Sequence, residues 1–575
     1  MLAKEEILIS LKKALDEMGI KDVKISLEHP KIEAHGDYST NVALVASKIL
    51  KKNPFDLALE LVEKLNSLHS TLPNIDKVEA VKPGFINFWL SKEYLTKELQ
   101  EAIDKGINFG TQSKTTTKTV VEYSSPNIAK PFTVGHLRST IIGDAIANLL
   151  EAIGWTVYRD NHLGDWGTQF GKQIYAIKEW GNESELDKSD RPIKLLVDLY
   201  VKFHEEAEKN PSLEEKGRKW FKKLEDGDIE AKRLWEKCVV WSLKEFKKIY
   251  EELGVKFTEN NGTGYGESFF EDKMGIVISD LEKKGLLKES EGARLVFFPK
   301  DKYPPLMIMK QDGATLYATR DLATDKFRLE KYGKDVVVIN EVGAEQSLYF
   351  KQLFEVEKLL GWYKEGQRIH IKHGLYRFKD KKMSTRKGNT IWLEDVLAEA
   401  EKRAAGLAKD KDLLVAKEVG IGAIKWNDLK KNSEQDIVFD WDEILNMQGN
   451  SGPYLQYTFA RTQSVLAKTG IDSGQARMTS FWGAERLRNL KPEEVSLLRT
   501  LIKFPEVVEE AGKNFAPNIL CNYLFDLAQK FNLFYEKHKI IGSENEELRT
   551  LLTKVVGQTI KNGLNLLGIQ APEKM

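Results

Sequence analysis

The sequence predicts an α/β chain in three parts: a parallel-sheet core with crossover helices, preceded by a small α+β domain and followed by an all-α helical domain. Three observations predict it. From Thr119 onward, short β-type runs alternate with amphipathic helical stretches, as in βαβ units. Ahead of them, VEAVKPGFINFWL has two apolar runs on either side of Pro83-Gly84, a hairpin signal. After Ser451 the β-type runs give way to helical periodicity. At 575 residues the chain exceeds what one core can hold.

Residues 1–108 read as the first domain. A helix from Lys4 stops at Gly19, KDVKISL follows as a strand, and two helices run from Thr40 to about Leu68, the second opened by Pro54. The polar, threonine-rich stretch Gly106 to Lys118 has no period and reads as a linker. Residues 119–410 form the core. TVVEYS is its first strand, and the helix His136 to Ile153 carries Leu137, Ile141, Ile142, Ala145, Ile146, Leu149 and Leu150 at helical spacing. WTVYRD is the second strand and Trp166 to Trp180 the second helix, which makes the core Rossmann-type. A charged helical insertion occupies about 182–252, after which LVFFP, LYATRD, DVVVIN and IHIKHGL resume the pattern, with a helix Gln346 to Leu360 between the last two. Residues 411–450 connect to the helical domain 451–575, represented by YLQYTFARTQSVLAKTG and NILCNYLFDLAQKFNLFYEKHK.

Composition excludes several classes. With 41% hydrophobic and 30% charged residues the chain sits among soluble globular proteins, and no apolar run is long enough to cross a bilayer. The acid-containing amphipathic start is unlike a signal peptide, so a cytoplasmic location is expected. Cys238 and Cys521 lie far apart in helical patterns, which gives neither a disulfide framework nor a cysteine-based metal site; no metal ligand is assigned. Basic and acidic residues balance at 87 each, so a nucleic-acid partner has to be argued from local surfaces.

Two stretches carry chemistry. In SSPNIAKPFTVGHLRST a strand runs into a turn and then a helix, and a helix amino terminus offers unpaired N–H groups and partial positive charge to a phosphate. Gly135 allows close approach, Pro126 and Pro131 stiffen the turn, and His136 stands at the helix start. Alone, Gly-His reads as a stiff connection with a histidine cap. KDKKMSTRKGN, Lys379 to Asn389, sets five cations around Met-Ser-Thr, suited to neutralising a polyphosphate; alone, it reads as a solvated turn. Acids suited to a guanidinium stand at Glu122, ending the first strand, and at Asp321 in LYATRD, four residues after Tyr317.

Together TVGH (Thr133 to His136) and KMSTR (Lys382 to Arg386) resemble the HIGH and KMSKS signatures of class I aminoacyl-tRNA synthetases. SSPNIAKPFTVGHLRSTIIGDAIANLLEAIG, HLGDWGTQFG, KMSTRKG, SGPYLQYTFAR and LLGIQAPEKM narrow the resemblance to the arginyl family, from GDYSTNVALVASKILKKNPF to Met575. The resemblance implies ATP-dependent attachment of L-arginine to tRNA(Arg) through an arginyl-adenylate, with Mg2+ accompanying ATP and no covalent enzyme intermediate. It implies catalytic roles for His136, Lys382, Arg386 and Lys387, and an ATP site of Thr133, Gly135, His136, Lys382, Met383 and Ser384. Arginine contacts would be Glu122, Ser125, Pro126, Asn127, His136, Tyr317, Asp321 and Gln346. Asn87 and Phe88, in a domain that would meet the tRNA elbow, and Tyr454, Tyr457 and Arg461, in an anticodon domain, would contact tRNA. A monomer is expected. Two positions depart from the signatures: Thr133 replaces the usual first histidine, and Thr385 the second lysine. Another class I synthetase, a related nucleotidyltransferase and a non-catalytic tRNA-binding paralogue are the rival readings.

Overall fold

The computed structural model describes residues 3–67, 72–311, 315–378, 391–406, 412–469 and 490–575. It divides into two compact bodies, one of Met1–Phe109, Arg461–Pro505 and Phe525–Asn562, the other of Gly110–Ala460, Glu506–Leu524 and Gly563–Met575. Among the described residues no helix is long and apolar enough to cross a membrane.

In the second body four parallel strands form the central sheet: β1 (Lys118–Glu122), β2 (Thr156–Asp160), β3 (Val337–Gly343) and β4 (Arg368–His373), ordered β4-β3-β1-β2. Chain order reverses beside β1, so the crevice at the carboxyl ends of β1 and β3 is the switch point where such sheets bind ligands. The helix Val134–Ala152 crosses from β1 to β2 and buries Leu137, Ile141, Ile142, Ala145, Ile146, Leu149 and Leu150, the spacing expected of it. Gly143 lets it reach the chain after β1, since a Cβ there would lie 2.2 Å from the Cβ of Tyr123.

The charged insertion consists of helices Glu183–Lys188, Pro192–Lys209, Ser212–Glu225 and Ile229–Leu253. LVFFP does not extend the parallel sheet. Its strand Ala293–Val296 lies between Leu287–Ser290 and Leu306–Met309 in a separate antiparallel sheet. LYATRD, expected as a strand, opens the helix Tyr317–Tyr332. Burial of Ala318, Leu322, Asp325, Arg328 and Tyr332 follows a period near 3.6, which the alternating first residues hide.

In the first body, Phe85–Leu90 pairs antiparallel with both Tyr38–Thr40 and Ile75–Val81. KDVKISL is not a strand: none of Lys21–Leu27 is buried, so nothing anchors it to the sheet. Within this body Asp37, 1% exposed, receives Arg499 Nε at 2.5 Å, and Lys530 lies 2.7 Å from Glu33. Among the described residues the longer helices that follow Phe378 are Leu393–Ala405, Leu413–Leu429, Gly452–Thr469, Pro492–Leu501, Phe504–Lys513, Pro517–Lys537 and Glu546–Leu566, interrupted by short pieces such as the strand Ile437–Phe439.

The carboxyl edge of the central sheet is held by charge. Arg328, 2% exposed, donates through Nη2 to Glu122 (2.5 Å) and Asp160 (2.8 Å), and through Nη1 to Asp325 (3.2 Å). Asp325 also receives Arg368 Nη2 of β4 at 2.6 Å. Burial raises the Glu122 pKa, but the cations of Arg328 and His162 outweigh it and hold Glu122 at about 2. Removing Arg328 leaves these carboxylates buried without it, so Arg328→Met should cost about 3–5 kcal/mol, read as a lower denaturant midpoint. In the unaltered protein the stability owed to Glu122 is fully present above its ordinary 4.5 and should be lost as pH falls through about 2.

Candidate active site

The turn leaving β1 is left-handed at three residues with side chains: Ser124 (φ 72°), Ser125 (φ 44°) and Ala129 (φ 57°). Each such residue costs about 1–3 kcal/mol, so the surroundings have to hold it. Ser124 N–H donates to Ser139 Oγ (2.9 Å), whose own hydroxyl donates to the Glu341 carbonyl (3.0 Å). Ser125 N–H donates to Asn161 Oδ1 (3.0 Å), and Ala129 N–H to Ser242 Oγ (2.9 Å). Gly164 N–H donates to the Pro126 carbonyl (3.1 Å) and Ile128 N–H to the Gly164 carbonyl (3.1 Å), which brings HLGD against the turn and makes Asn127 the bridge partner of Gly164. The Ser125 hydroxyl is buried without a partner.

The turn ends at the amino terminus of Val134–Ala152. Thr133 is the N-cap: its N–H donates to His136 Nδ1 at 3.0 Å, and its hydroxyl lies 3.1 Å from the same nitrogen. Because Nδ1 accepts, the neutral ring carries its proton on Nε2. Burial, then the charges of Lys130 and His373, lower the His136 pKa to about 4. Gly135 is exposed, and a Cβ there would meet only Thr133 Oγ1, at 3.4 Å, so an anion has room at the helix end. Lys130, not singled out by the sequence reading, is an exposed cation whose charge reaches His136. Backbone bonds from Val134 N–H to the Ile391 carbonyl (3.4 Å) and from Leu393 N–H to the Phe132 carbonyl (2.9 Å) join this terminus to the chain after KMSTRKGN. Lys382, Met383, Ser384, Arg386 and Lys387 lie outside the described residues.

Beside the turn is an acidic pocket. Asp321 accepts from Tyr349 Oη and lies 3.8 Å, Oδ1 to Nε2, from His162; its side chain is 28% exposed. Tyr317, exposed, sets its ring 5.0 Å from that of Tyr349 on the same rim. Burial raises the Asp321 pKa, with His162 and Tyr349 opposing. Gln346 is exposed at the start of Ser347–Leu360. Glu122 borders the pocket with its carboxylate already on Arg328. His162, in HLGDWGTQFG, is not among the residues expected at the site; only the fold puts it next to Asp321. In the same segment Asp165 accepts from Ser268 N–H (2.8 Å), and Trp166 packs edge-on against Trp235.

The residues expected to meet tRNA divide by exposure. Phe88 is 0% and Asn87 3% exposed, Asn87 taking the Ser39 hydroxyl at 2.7 Å, so these two side chains belong to the interior. Tyr457, Tyr454 and Arg461 recur at three- and four-residue spacing on the helix Gly452–Thr469; Tyr457 is 38% exposed, and Arg461 stacks 5.0 Å over the Tyr535 ring.

A parallel sheet with its crevice at the switch point, a phosphate-ready helix start at TVGH and, in the sequence, a KMSTR run whose following residues Ile391 and Leu393 bond to that helix start define a class I aminoacyl-tRNA synthetase. Comparison with known proteins narrows the class. Residues 98–441 match the catalytic-domain model of class I (R) tRNA synthetases, residues 455–575 the DALR anticodon binding domain and residues 4–90 the arginyl tRNA synthetase N-terminal domain. An arginine–tRNA ligase of Clostridium kluyveri is 42% identical over 100% of this chain and 99% of its own, and one of an Exiguobacterium species 43% over 97% of each. The solved arginyl-tRNA synthetase of Plasmodium falciparum superposes with TM-score 0.82 at 26% identity over 99% of both chains, and that of Thermus thermophilus with 0.81 at 25% over 100% of both. The chain belongs to the arginyl-tRNA synthetase family.

The neutral state of His136 has a thermodynamic signature. Its pKa is lowered on folding, so the stability it contributes is present above 6.5 and lost as pH falls toward about 4. In His136→Gln, whose amide oxygen can still accept from Thr133, a denaturation series from pH 7 to 4 should show a shallower decline.

Proposed function

We propose that this chain couples L-arginine to tRNA(Arg) with ATP as follows. The arginine carboxylate attacks the α-phosphorus of ATP, the α–β phosphoanhydride bond breaks and pyrophosphate leaves. A hydroxyl of the terminal adenosine of tRNA then attacks the activated carbonyl and AMP leaves. The observation that carries the reading is the single turn Ser124–Thr133, which has the acidic pocket at one end and the helix amino terminus at the other, so both reactants are held by one piece of backbone.

ATP lies with its phosphates toward the Gly135 amide and the Nε2–H of His136, both neutral donors. Lys382, Arg386, Lys387 and Lys130 supply the cations for the departing pyrophosphate, which offsets the loss of the second signature lysine at Thr385. Mg2+ arrives with ATP; among the described residues no cluster of three or more His, Cys, Asp or Glu would hold it alone. Asp321 takes the guanidinium, Tyr317 closes over its stem, and Ser125, Asn127 and Gln346 meet the α-amino and carboxylate groups. Residues 1–108 lie at the tRNA elbow and 451–575 at the anticodon, where Tyr457 is the exposed ring. The chain acts as a cytoplasmic monomer.

ATP–pyrophosphate exchange with each amino acid, with and without tRNA, tests this. Exchange should occur with arginine alone and only when tRNA(Arg) is present; exchange with another amino acid, or none at all, overturns the reading. Asp321→Asn should lower kcat/KM for arginine by about ten- to a hundredfold while ATP binding persists, as expected for loss of a hydrogen bond to a charged group.

A further inference from the structure

His162 has a geometry that the reaction as described does not use. Its Nδ1 lies 3.0 Å from the Tyr265 carbonyl, so Nδ1 carries a proton and donates it. The other nitrogen, Nε2, is buried and has no hydrogen-bond partner, and its nearest acidic group is Asp321 Oδ1 at 3.8 Å. If the ring were neutral, the Nε2 lone pair would face a carboxylate across an interior gap.

The charges around it decide what the empty pocket needs. From β1 comes Glu122, and from the helix Tyr317–Tyr332 come Asp321 and Arg328. Glu267 of the segment Glu267–Lys273 and Asp165 of its own loop complete the set. Glu122 is matched by Arg328, Glu267 has Arg320 at 3.5 Å, and Asp165 takes the Ser268 hydroxyl at 2.7 Å. Asp321 has the neutral hydroxyl of Tyr349. Among the described residues its charge has no matching cation other than a protonated His162, and a partly buried carboxylate without one is costly. Burial disfavours that proton, but Glu122 and Asp321 outweigh it and raise the His162 pKa.

We propose that His162 is an arginine-binding residue that exchanges a proton for the substrate: in the empty pocket its imidazolium balances Asp321, and as the guanidinium enters, the Nε2 proton leaves to solvent and Nε2 accepts a guanidinium N–H. Arginine brings a cation that does not titrate, so two positive charges would otherwise face Asp321. The exchange also disfavours uncharged side chains of similar shape, which cannot displace the proton. It rests on the assignment of Asp321 to the guanidinium.

Calorimetric titration of L-arginine into the full-length protein with tRNA(Arg), in buffers of different ionisation enthalpy, counts the protons released. Between about pH 6 and 8, up to one proton per arginine should appear, and affinity should rise with pH by up to about tenfold per unit. His162→Gln keeps an acceptor and removes the titration, so it should bind arginine without release. No release by the unaltered protein across that range, or equal release by His162→Gln, overturns the proposal. Arginine bound as tightly by Asp321→Asn would instead overturn the pocket assignment beneath it.

Discussion

The site depends on Arg328. Among the described residues it is the one cation that meets the ends of both β1 and β2, through Glu122 and Asp160, while Asp325 passes the link to Arg368 on β4. Strands of a parallel sheet end in carbonyls and side chains that face the ligand crevice, and acids gathered there repel one another unless something fixes them. Arg328 turns that repulsion into a rigid edge. It also makes the two neighbouring acids unlike: Glu122 is already matched by Arg328, whereas Asp321 has the Tyr349 hydroxyl and His162 beside it. On the proposed function that asymmetry favours a cationic side chain at Asp321.

The helix start is built on a different principle: the Gly135 amide, the Nε2–H of His136 and the macrodipole present partial positive charge that needs no counterion. Thr133 is adequate here because its role is local: it fixes the His136 ring through Nδ1 and caps the helix. A histidine at that position could also accept or donate, but the cap itself needs only a short side-chain oxygen.

The fold and the site were legible to different depths. Helix Val134–Ala152 and strands β1 to β4 could be read because their apolar spacing is local. LYATRD could not, since its first six residues fit a strand and the helical period appears only when Leu322, Asp325 and Arg328 are counted. Asp321 was visible as chemistry, but its neighbour His162 was not, being 159 positions away by residue number. The same holds for the ion network: Arg328 lies 206 positions from Glu122 and 168 from Asp160, and no periodicity encodes such a pairing. Phe88, a tRNA contact implied by the resemblance, has its side chain in the interior, and that burial comes from strand pairing across the sheet rather than from local pattern.

The two signatures are joined through one helix. At the far end of KMSTRKGN, Ile391 and Leu393 share backbone hydrogen bonds with Val134 and Phe132. At its near end, Tyr376 donates to Asp428 Oδ2 at 2.5 Å, and Asp428 is held by Arg138, one turn into Val134–Ala152 and 1% exposed. The described flanks of KMSTRKGN, Tyr376 on one side and Ile391 to Leu393 on the other, are therefore both tied to the helix Val134–Ala152. Because one rigid element holds both flanks, a shift of its amino terminus moves them together.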